Sequence, residues 1–414
     1  MSDGSLHERH MRLVDRLVER GDIQSPEIEA AFRAVPRHLF LPGVDPERVY
    51  QDEAIPTKLR DGEPISSSSQ PAAMAVMLEQ LDVHPGDRVL EIGAGTGYNA
   101  ALLAQLAGPS GRVTAIDLDA DIVAAAREHL MVAGAGTVRL VEGDGIGGVA
   151  ADAPYDRIIL TVGAWDIAPA WCEQLAPGGR LLMPLWLRGA QKTVAFTPRV
   201  DRQGRDHLAS VSISSCGFMR LRGPFAGPEG YLPLGPTPGL SLGLEDRTAV
   251  DAAWAYGRLS GPFHEMILPV AAATIEVWTS VNLWLALRHP RFCTLHSQGA
   301  PVGAPALSGG GSHHVTCGLV DGDGFALLAH AMPGETIDEP QLLAIRLYGP
   351  AETLARQLVD GVAAWDAAGR PGDDRLRLRV DPLPTHRAPD PGETILDKRW
   401  TRIAMGWVPP STAH

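Results

Sequence analysis

The first forty residues show the spacing of apolar side chains that is typical of amphipathic helices. One face of the first predicted helix consists of Met11, Val14, Leu17 and Val18. Gly21 follows this face as a stop, and Ser25 and Pro26 are typical of the start of a second helix. Residues 41–71 lack such periodicity, so we expect a long loop there, running into a helix over about residues 71–81.

From residue 86 onward, short apolar runs alternate with segments of helical periodicity. The runs predict strands over residues 88–92, 112–117, 137–141, 156–162 and 179–185. Strands that alternate with helices indicate a parallel sheet that is covered on both faces. Residues 191–199 and 207–216 are separated by a polar turn, and they predict a hairpin at the end of this sheet.

The distribution of glycine and proline divides the chain into regions. Residues 223–240 are rich in both residues and predict a linker. Before it, we expect residues 1–85 to form a helical N-terminal lobe that includes a long loop, and residues 86–222 to form the core that contains the sheet. After it, residues 241–414 are expected to form an extra C-terminal domain, which either helps to hold a peptide substrate or is a stabilising or dimerising appendage. The pattern predicts a helix over about residues 350–367 of that domain and a strand over 375–380.

The composition is that of an ordinary folded protein, and it excludes several classes of function. Apolar residues make up 45% of the 414 residues and charged residues 21%, which excludes a disordered chain or a fibrous repeat. The chain has 36 basic and 49 acidic residues, and its net charge of −13 argues against a nucleic-acid partner or an anionic membrane surface. No apolar run approaches the length of a membrane span, and the charged N-terminal segment lacks a signal-peptide core, so we expect a cytoplasmic protein. The four cysteines include no CxxC pair, so neither a zinc ribbon nor a thioredoxin-type site is expected.

The strongest chemical signal is the sequence VLEIGAGTGY at residues 89–98. A strand enters a turn that glycine makes easily, and the helix that leaves it presents bare N–H groups to an electron-rich ligand. Asp117 ends the next strand, where a carboxylate can accept both hydroxyls of a ribose. Asp144 follows the third strand, where it could meet an adenine amine. Each feature alone could be a turn or a helix cap, but their order in one chain predicts a nucleoside-containing ligand.

Two cofactors could use such a crevice, and the spacing of the glycines separates them. NAD usually needs a GxGxxG cradle for its pyrophosphate. Here the loop reads GxGxG after Glu91, which resembles motif I of the class I S-adenosylmethionine (SAM) methyltransferases, and residues 174–181 are similar to the late-strand signature of that superfamily. The resemblance implies an α/β fold with a Rossmann-like doubly wound sheet and SAM as the cofactor. An NAD-dependent oxidoreductase and a non-catalytic SAM-binding module are the alternatives, and methyl transfer from labelled SAM would exclude both.

Motifs outside the glycine loop narrow the resemblance to one family. They are VPRHLFLP at residues 35–42, Ser-Gln-Pro at 69–71, Gly-Asp-Gly at 143–145 and Pro-Tyr-Asp at 154–156. In this order, over about residues 6–220, they are similar to the protein-L-isoaspartate O-methyltransferases. The resemblance implies an enzyme that methylates a carboxylate of a peptide or protein substrate carrying Asp or isoaspartate, without a metal ion.

The same resemblance implies roles for individual residues. Ser67 and Ser69 match the hydroxyl-bearing substrate segment of the family, and they are the expected catalytic residues that hold one oxygen of the substrate carboxylate. The expected cofactor-binding residues are Glu91, Gly93, Gly95, Gly97, Asp117, Leu118, Asp144, Gly145 and Thr161. Because a carboxylate is already ionised at neutral pH, its methylation requires positioning and no general base. Alternatively, Ser69 caps the helix at Pro71. Trp165 and Trp171 are candidates either for the substrate crevice or for the core.

The sequence departs from the family where the substrate should bind. Ser66 and Ser68 replace the usual Gln and Ile, and VGAWD at residues 162–166 replaces the usual alanine pair. These segments, together with CGFM at residues 216–219, resemble the "FxLD system" methyltransferases, a subgroup that is associated with lanthipeptide precursors and has an extra C-terminal region. That resemblance implies methylation of an aspartate in a modified peptide, which then closes to a succinimide and opens to isoaspartate. General repair of isoaspartyl proteins is the alternative.

Overall fold

The N-terminal lobe is mostly helical. The computed structural model describes residues 3–60, 63–228, 230–236, 239–246, 249–298, 307–308, 313–331, 336 and 338–409. The helices of the lobe are α1 Asp3–Glu19, α2 Pro26–Ala34, α3 Pro46–Val49 and α4 Pro71–Leu81. Leu17 of α1, Phe32 of α2 and Leu78 of α4 are fully buried in one apolar core. The helices expected from the apolar spacing and from Pro26 and Pro71 are thereby confirmed.

Residues 41–71 do not form the long loop that their lack of periodicity predicted. Two strands, β1 Ile55–Arg60 and β2 Glu63–Ser68, pair in an antiparallel hairpin. Strand β2 contains Pro64 and three serines, so it lacks the alternating apolar residues by which a strand is recognised. Its pairing with β1 makes it a strand. The four residues Ser66 to Ser69, called the serine segment below, are therefore held in place through the backbone hydrogen bonds of β2.

The core contains the expected parallel sheet. Its parallel strands are β3 Arg88–Ile92, β4 Arg112–Asp117, β5 Arg139–Glu142, β6 Tyr155–Leu160 and β7 Leu175–Leu187. The connecting helices are α5 Tyr98–Ala107, α6 Ala120–Val132 and α7 Pro169–Glu173. The strand order is β7-β6-β3-β4-β5. Val89 packs in one apolar core with α4 and α5, whereas its neighbour Leu90 packs in a second core on the opposite face. Burial on both faces explains the continuous apolar runs, and the expected doubly wound α/β sheet is confirmed.

Antiparallel strands extend this sheet beyond β7. The expected hairpin consists of β8 Ala190–Val200 and β9 Asp206–Ser215. Strand β8 pairs with β7 from Ala190 opposite Leu187 to Phe196 opposite Leu181. The sheet is therefore mixed, with its parallel part at one side and its antiparallel part at the other.

A second sheet follows, and its described strands are all antiparallel. They are β10 Gly230–Pro233, β11 Ser241–Leu244, β12 Phe263–Ala272, β13 Phe292–Gln298, β14 Leu307–Ser308, β15 His313–Val320, β16 Phe325–His330 and β17 Gln341–Tyr348. The main strand order is β10-β11-β13-β15-β16-β17-β12. The helices of this region are α8 Ala252–Leu259, α9 Thr274–Glu276, α10 Asn282–Arg288 and α11 Glu352–Ala367. Helix α11, which the apolar spacing predicted, buries Leu354, Leu358 and Val362 in the core of this sheet. None of the helices within the described ranges is long and apolar enough to cross a bilayer.

The last strands return to the first sheet, and here the structure differs from the expected organisation. Strands β18 Leu376–Pro382, β19 Thr394–Asp397 and β20 Thr401–Trp407 complete the sheet in the order β19-β20-β18-β9. The expected linker over residues 223–240 also contains strand β10. Strand β9 would otherwise be an open edge, and its pairing with β18 through Ala209 and Arg379 covers it. Residues 241–414 therefore contribute to both sheets.

Two buried charges join the C-terminal residues to the core. The Asp166 carboxylate is fully buried and accepts hydrogen bonds from Trp400 N at 2.7 Å and from the Thr401 hydroxyl at 2.5 Å. The Lys192 ammonium, on β8, is 1% exposed and forms an ion pair with Asp373 at 2.6 Å. Burial lowers the pKa of Lys192, and the Asp373 carboxylate opposes that shift. We call the residues between β9 and β18, which contain the second sheet, the second region. These contacts hold the second region and the loop after β6 in a defined position.

We expect the Asp166→Ala variant to be markedly less stable than the native protein. The substitution leaves the buried Thr401 hydroxyl and the part-buried Trp400 N–H without an acceptor, which should lower the free energy of unfolding by about 2–4 kcal/mol. Asp397→Ala is the matched control on the same hairpin, because it removes an ion pair with Arg402 in which the Asp397 side chain is 53% exposed. That loss should stay below about 1 kcal/mol. Urea denaturation measures both values, and equal losses would contradict a structural role for Asp166.

Candidate active site

A single pocket at the carboxyl ends of the parallel strands collects most of the residues expected to be functional. The expected residues that line it are Ser67, Ser69, Glu91, Gly93, Gly95, Asp117, Leu118, Asp144, Gly145 and Thr161. Gly97 lies outside this lining, and it begins helix α5 with a φ of 87°. The pocket therefore brings the predicted serine segment and the predicted cofactor residues together.

The turn after β3 has a shape that requires glycine. Gly93 has a φ of 98°, and a Cβ atom there would lie 2.9 Å from Thr161 Oγ1 and 3.1 Å from Val162 Cγ1. The Thr161 hydroxyl donates a hydrogen bond of 2.6 Å to Gly93 O, so the ends of β3 and β6 support the turn together. The backbone can therefore approach a ligand closely at this point.

The Asp117 carboxylate supports the same turn from the neighbouring strand. Its Oδ2 accepts a hydrogen bond of 2.9 Å from Gly95 N. Leu118, next in sequence, is 46% exposed at the edge of the pocket. The other carboxylate oxygen of Asp117, Oδ1, accepts only a long hydrogen bond of 3.4 Å from Asp119 N within the described residues, so it can still accept one from a ligand in the pocket.

Asp144 and Gly145 form the pocket wall below β5. Asp144 Oδ1 accepts a hydrogen bond of 3.0 Å from Ile146 N, which is the tight turn that was the structural alternative for this residue. A Cβ atom at Gly145 would lie 2.5 Å from Ile92 Cγ2, so no larger residue fits there. Trp171 is fully buried and donates from Nε1 to Gly145 O at 2.9 Å. Trp171 is thus a core residue that supports the wall.

Glu91 is a buried acid in the middle of the pocket. Its side chain is fully buried on β3, and Asn99 Nδ2 donates to Oε1 at 2.8 Å. Its second oxygen, Oε2, has no hydrogen-bond partner among the described residues. Burial raises the pKa of Glu91 to about 8, the Asp117 carboxylate adds to that shift, and the Asn99 hydrogen bond opposes it. Such a group becomes ionised when a cation enters the pocket.

The serine segment covers the glycine turn from the other side. The backbone carbonyl of Ser67 lies 3.5 Å from where a Gly95 Cβ atom would be. Ser67 and Ser69 are half-buried in the pocket, whereas Ser66 and Ser68 are buried. Ser66 Oγ accepts a hydrogen bond of 3.1 Å from the Thr57 hydroxyl. The capping position of α4 is Gln70, so the alternative role of Ser69 as a helix cap is not what the structure shows.

Arg37 anchors the serine segment, and sequence reasoning assigned it no role. Its side chain is fully buried. It donates to Val49 O at 2.8 Å, Gln51 O at 3.2 Å, Glu53 O at 2.9 Å, Ser68 O at 3.4 Å and Ser69 O at 3.0 Å. Burial lowers the pKa of Arg37, and the carbonyl oxygens replace the water that the guanidinium has lost. The signal was present in VPRHLFLP, but only the fold shows which carbonyls the guanidinium meets.

The segment Met219–Arg222 forms the upper wall. Gly163 N donates to Met219 O and Leu221 N donates to Gly163 O, both at 2.7 Å. This wall is therefore attached to the VGAWD segment, which in turn is held by Asp166. Trp165 does not line the pocket, and its ring lies 5.0 Å from Lys398 Nζ.

The arrangement fits the cofactor that the resemblance implied. A glycine turn open to close approach, a carboxylate at the end of β4 and an unpartnered oxygen of the buried Glu91 suit a nucleoside that carries a cationic group. Within the described residues, no three His, Cys, Asp or Glu side chains lie together as metal ligands.

Two solved structures show similarity to this chain. A protein-L-isoaspartate O-methyltransferase is 23% identical with a TM-score of 0.49, over 89% of this chain and 96% of that one. A crystal structure of a Plasmodium falciparum protein of the same name, in complex with S-adenosyl-L-homocysteine, is 18% identical with a TM-score of 0.44, over 51% of this chain and 98% of that one.

Comparison of sequences is more specific. Residues 8–222 match the family model "Protein-L-isoaspartate(D-aspartate) O-methyltransferase (PCMT)". The protein-L-isoaspartate O-methyltransferase of Methanopyrus kandleri is 38% identical over 53% of this chain and 92% of its own length. That of Methanoculleus marisnigri is 38% identical over 54% of this chain and 96% of its own length. The chain therefore belongs to the protein-L-isoaspartate O-methyltransferase family of SAM-dependent enzymes.

Proposed function

We propose that this protein methylates the free carboxylate of an aspartyl or isoaspartyl residue in a peptide, with Ser67 and Ser69 as the residues that orient it. The observation that carries the proposal is the meeting of the serine segment with the glycine turn in one pocket. A substrate carboxylate held at the serines lies beside the place where Glu91, the glycine turn and Asp117 would hold the cofactor.

The reaction requires the protein to align the substrate carboxylate with the methyl group of SAM, and it requires no proton transfer from the carboxylate. SAM, when bound, supplies the methyl group. The hydroxyls of Ser67 and Ser69 donate to one oxygen of the substrate carboxylate and leave the other oxygen free to react. Arg37 fixes the backbone of this segment through the carbonyls of Ser68 and Ser69, so the backbone that carries the two serines is already in place before a substrate arrives. The segment Met219–Arg222 forms one wall of the same pocket.

The finer proposal concerns the substrate, which we infer to be a ribosomally made, modified peptide of the lanthipeptide kind. The substituted serine segment and VGAWD support it, because both lie beside the pocket and depart from the family pattern. The C-terminal residues support it as well, since they add a second sheet next to the pocket. After methylation, the next backbone nitrogen displaces methanol and closes a succinimide, which opens to isoaspartate. General repair of isoaspartyl proteins is the second candidate, and the family match favours it.

A variant with both Ser67→Ala and Ser69→Ala should bind SAM normally but turn over slowly. Losing hydrogen bonds to a charged group costs about 1.5–3 kcal/mol, which lowers the rate about 10- to 100-fold if the loss is felt in the transition state. Ser66→Ala is the matched control, because the Ser66 hydroxyl is already bonded to Thr57. Methyl transfer from labelled SAM and calorimetry of SAM binding measure the two quantities. Native turnover in the double variant would refute the role of the serines.

Binding of SAM should strengthen as pH rises from 6 towards the raised pKa of Glu91, which is about 8. A cation in the pocket favours the ionised acid, so binding releases a proton from Glu91, and affinity should rise by up to about tenfold per pH unit below that pKa. Glu91→Gln keeps the shape of the side chain and removes the titration, so its affinity should vary less with pH. Calorimetry of both proteins across this range tests the idea, and identical pH profiles would contradict it.

Substrate specificity separates the two candidate functions. We expect an aspartyl peptide closed by thioether rings to be methylated with a higher kcat/KM than the same peptide in linear form. A linear L-isoaspartyl peptide is the second comparison, and the repair function predicts that it is the best substrate. Labelled SAM gives kcat/KM for each of the three peptides, and mass spectrometry identifies the methylated product. Preference for the linear isoaspartyl peptide would replace the peptide-maturation proposal with repair.

A further inference from the structure

A cleft of about 1000 Å³ lies between the first sheet and the second region. The turn between β7 and β8 and the segment 215–222 form one wall. Tyr231, His296 and the helical residues Trp278 and Asn282 belong to the opposite wall. The chemistry described so far uses none of these four residues.

The cleft is continuous with the active site. Ile65, Met219, Arg220 and Arg222 line both the cleft and the cofactor pocket. Ile65 lies on β2, two residues before Ser67. A peptide whose carboxylate reaches Ser67 would therefore pass its neighbouring residues over Met219–Arg222 into the cleft.

The wall of the cleft is held rigidly on the side of the core. Gln191 Oε1 accepts a hydrogen bond from Phe218 N, and Gln191 Nε2 donates to Phe218 O at 3.2 Å. This pair copies the two hydrogen bonds that a neighbouring strand would make. A wall that is already ordered loses little conformational entropy when a ligand binds.

The charges of the cleft differ from those of the chain as a whole. None of its described lining residues carries a carboxylate, although the chain has 49 acidic residues and a net charge of −13. Arg220 and Arg222 are among the lining residues, and Arg222 also forms an ion pair with Asp119 at 3.1 Å. The Arg220 guanidinium lies over the Trp186 ring at 4.1 Å. A lining of this kind attracts an anionic ligand and offers aromatic faces to its side chains.

One buried acceptor in the wall of the cleft, Asn282 Oδ1, lacks a hydrogen-bond donor among the described residues. Asn282 is 2% exposed. A buried acceptor without a donor is unfavourable, and a backbone N–H from a bound chain would satisfy it. Asn282 and the aromatic residues together suit an extended polypeptide better than a small anion.

We propose that this cleft binds an extended, acidic segment of the substrate that adjoins the methylated residue. The proposal rests on the proposed function, because it places the flanking residues of the same substrate. It makes recognition depend on charge outside the reacting residue, and it gives the second sheet a role in choosing the substrate.

The test uses the full chain and synthetic isoaspartyl peptides of three kinds. One is short, one is longer with aspartate and glutamate beside the target, and one is equally long with lysine there. We expect kcat/KM for the acidic peptide to exceed that for the lysine peptide by about tenfold or more, with the difference shrinking at high salt. Equal values, or a preference for lysine, would overturn the proposal.

Variants localise the effect. Trp278→Glu adds a negative charge to the cleft, and Tyr231→Glu does so at a residue that is 42% exposed, so folding should tolerate it. Each should lower kcat/KM for the acidic peptide about tenfold and much less for the short peptide. Ile267→Glu is the matched control, because it adds the same charge to the same region at a side chain that is 59% exposed and outside the cleft. Equal losses in the control and the cleft variants would refute the location.

Failure of the proposed function remains distinguishable from failure of this inference. If no peptide is methylated although SAM binds, the reaction assignment is wrong. Fluorescence anisotropy of a labelled acidic peptide then still decides the inference, since binding must weaken in Trp278→Glu and Tyr231→Glu and persist in Ile267→Glu. Binding that is equal in all three would overturn it.

Discussion

A charge that leaves water must be surrounded by groups that replace it, and three buried charges set the geometry of this protein's site. Arg37 meets five backbone carbonyls, two of which belong to Ser68 and Ser69. Asp166 meets N–H and hydroxyl donors of residues 400 and 401, and Lys192 meets Asp373. Because moving any of these contacts would expose an uncompensated charge, each one holds a particular loop in a particular place. The serine segment, the VGAWD loop and the second region are the three parts that they hold.

The rigid placement of these three parts suits a reaction that depends on the positions of the reacting groups more than on acid–base chemistry. The lower half of the pocket comes from the carboxyl ends of parallel strands, where the glycine turn, Asp117 and Thr161 support one another. The upper half comes from the serine segment and Met219–Arg222, which are attached through Arg37 and Gly163. A nucleophile that is already ionised then needs only to be held in line, and rigid walls supply that.

The C-terminal residues are part of the same frame. Strands β18 to β20 cover the edge of β9, and the turn at residues 398–401 supplies the partners of Asp166. Lys398 Nζ also donates to the carbonyls of Trp165 and Trp186. The methyltransferase core and the C-terminal residues are therefore joined both by strand pairing and by buried polar contacts. The cleft between the two sheets exists because the chain leaves the first sheet and comes back to it.

The sequence alone determined the features that depend on neighbouring residues. The parallel strands follow from short apolar runs, α11 follows from Leu354, Leu358 and Val362 on one face, and the glycine turn follows from VLEIGAGTGY. Only the tertiary structure decided the rest, because the interacting residues are far apart in the chain. Residues 63–68 form a strand because they pair with β1. The carbonyls that accept hydrogen bonds from Arg37 lie up to 32 residues away in the chain. Strands β18 to β20 joined the first sheet because β9 needed a partner, while Asp166 needed donors that lie more than 230 residues further along the chain. Local periodicity carries no information about such partners, since a buried charge or an open strand edge can be satisfied from anywhere in the fold.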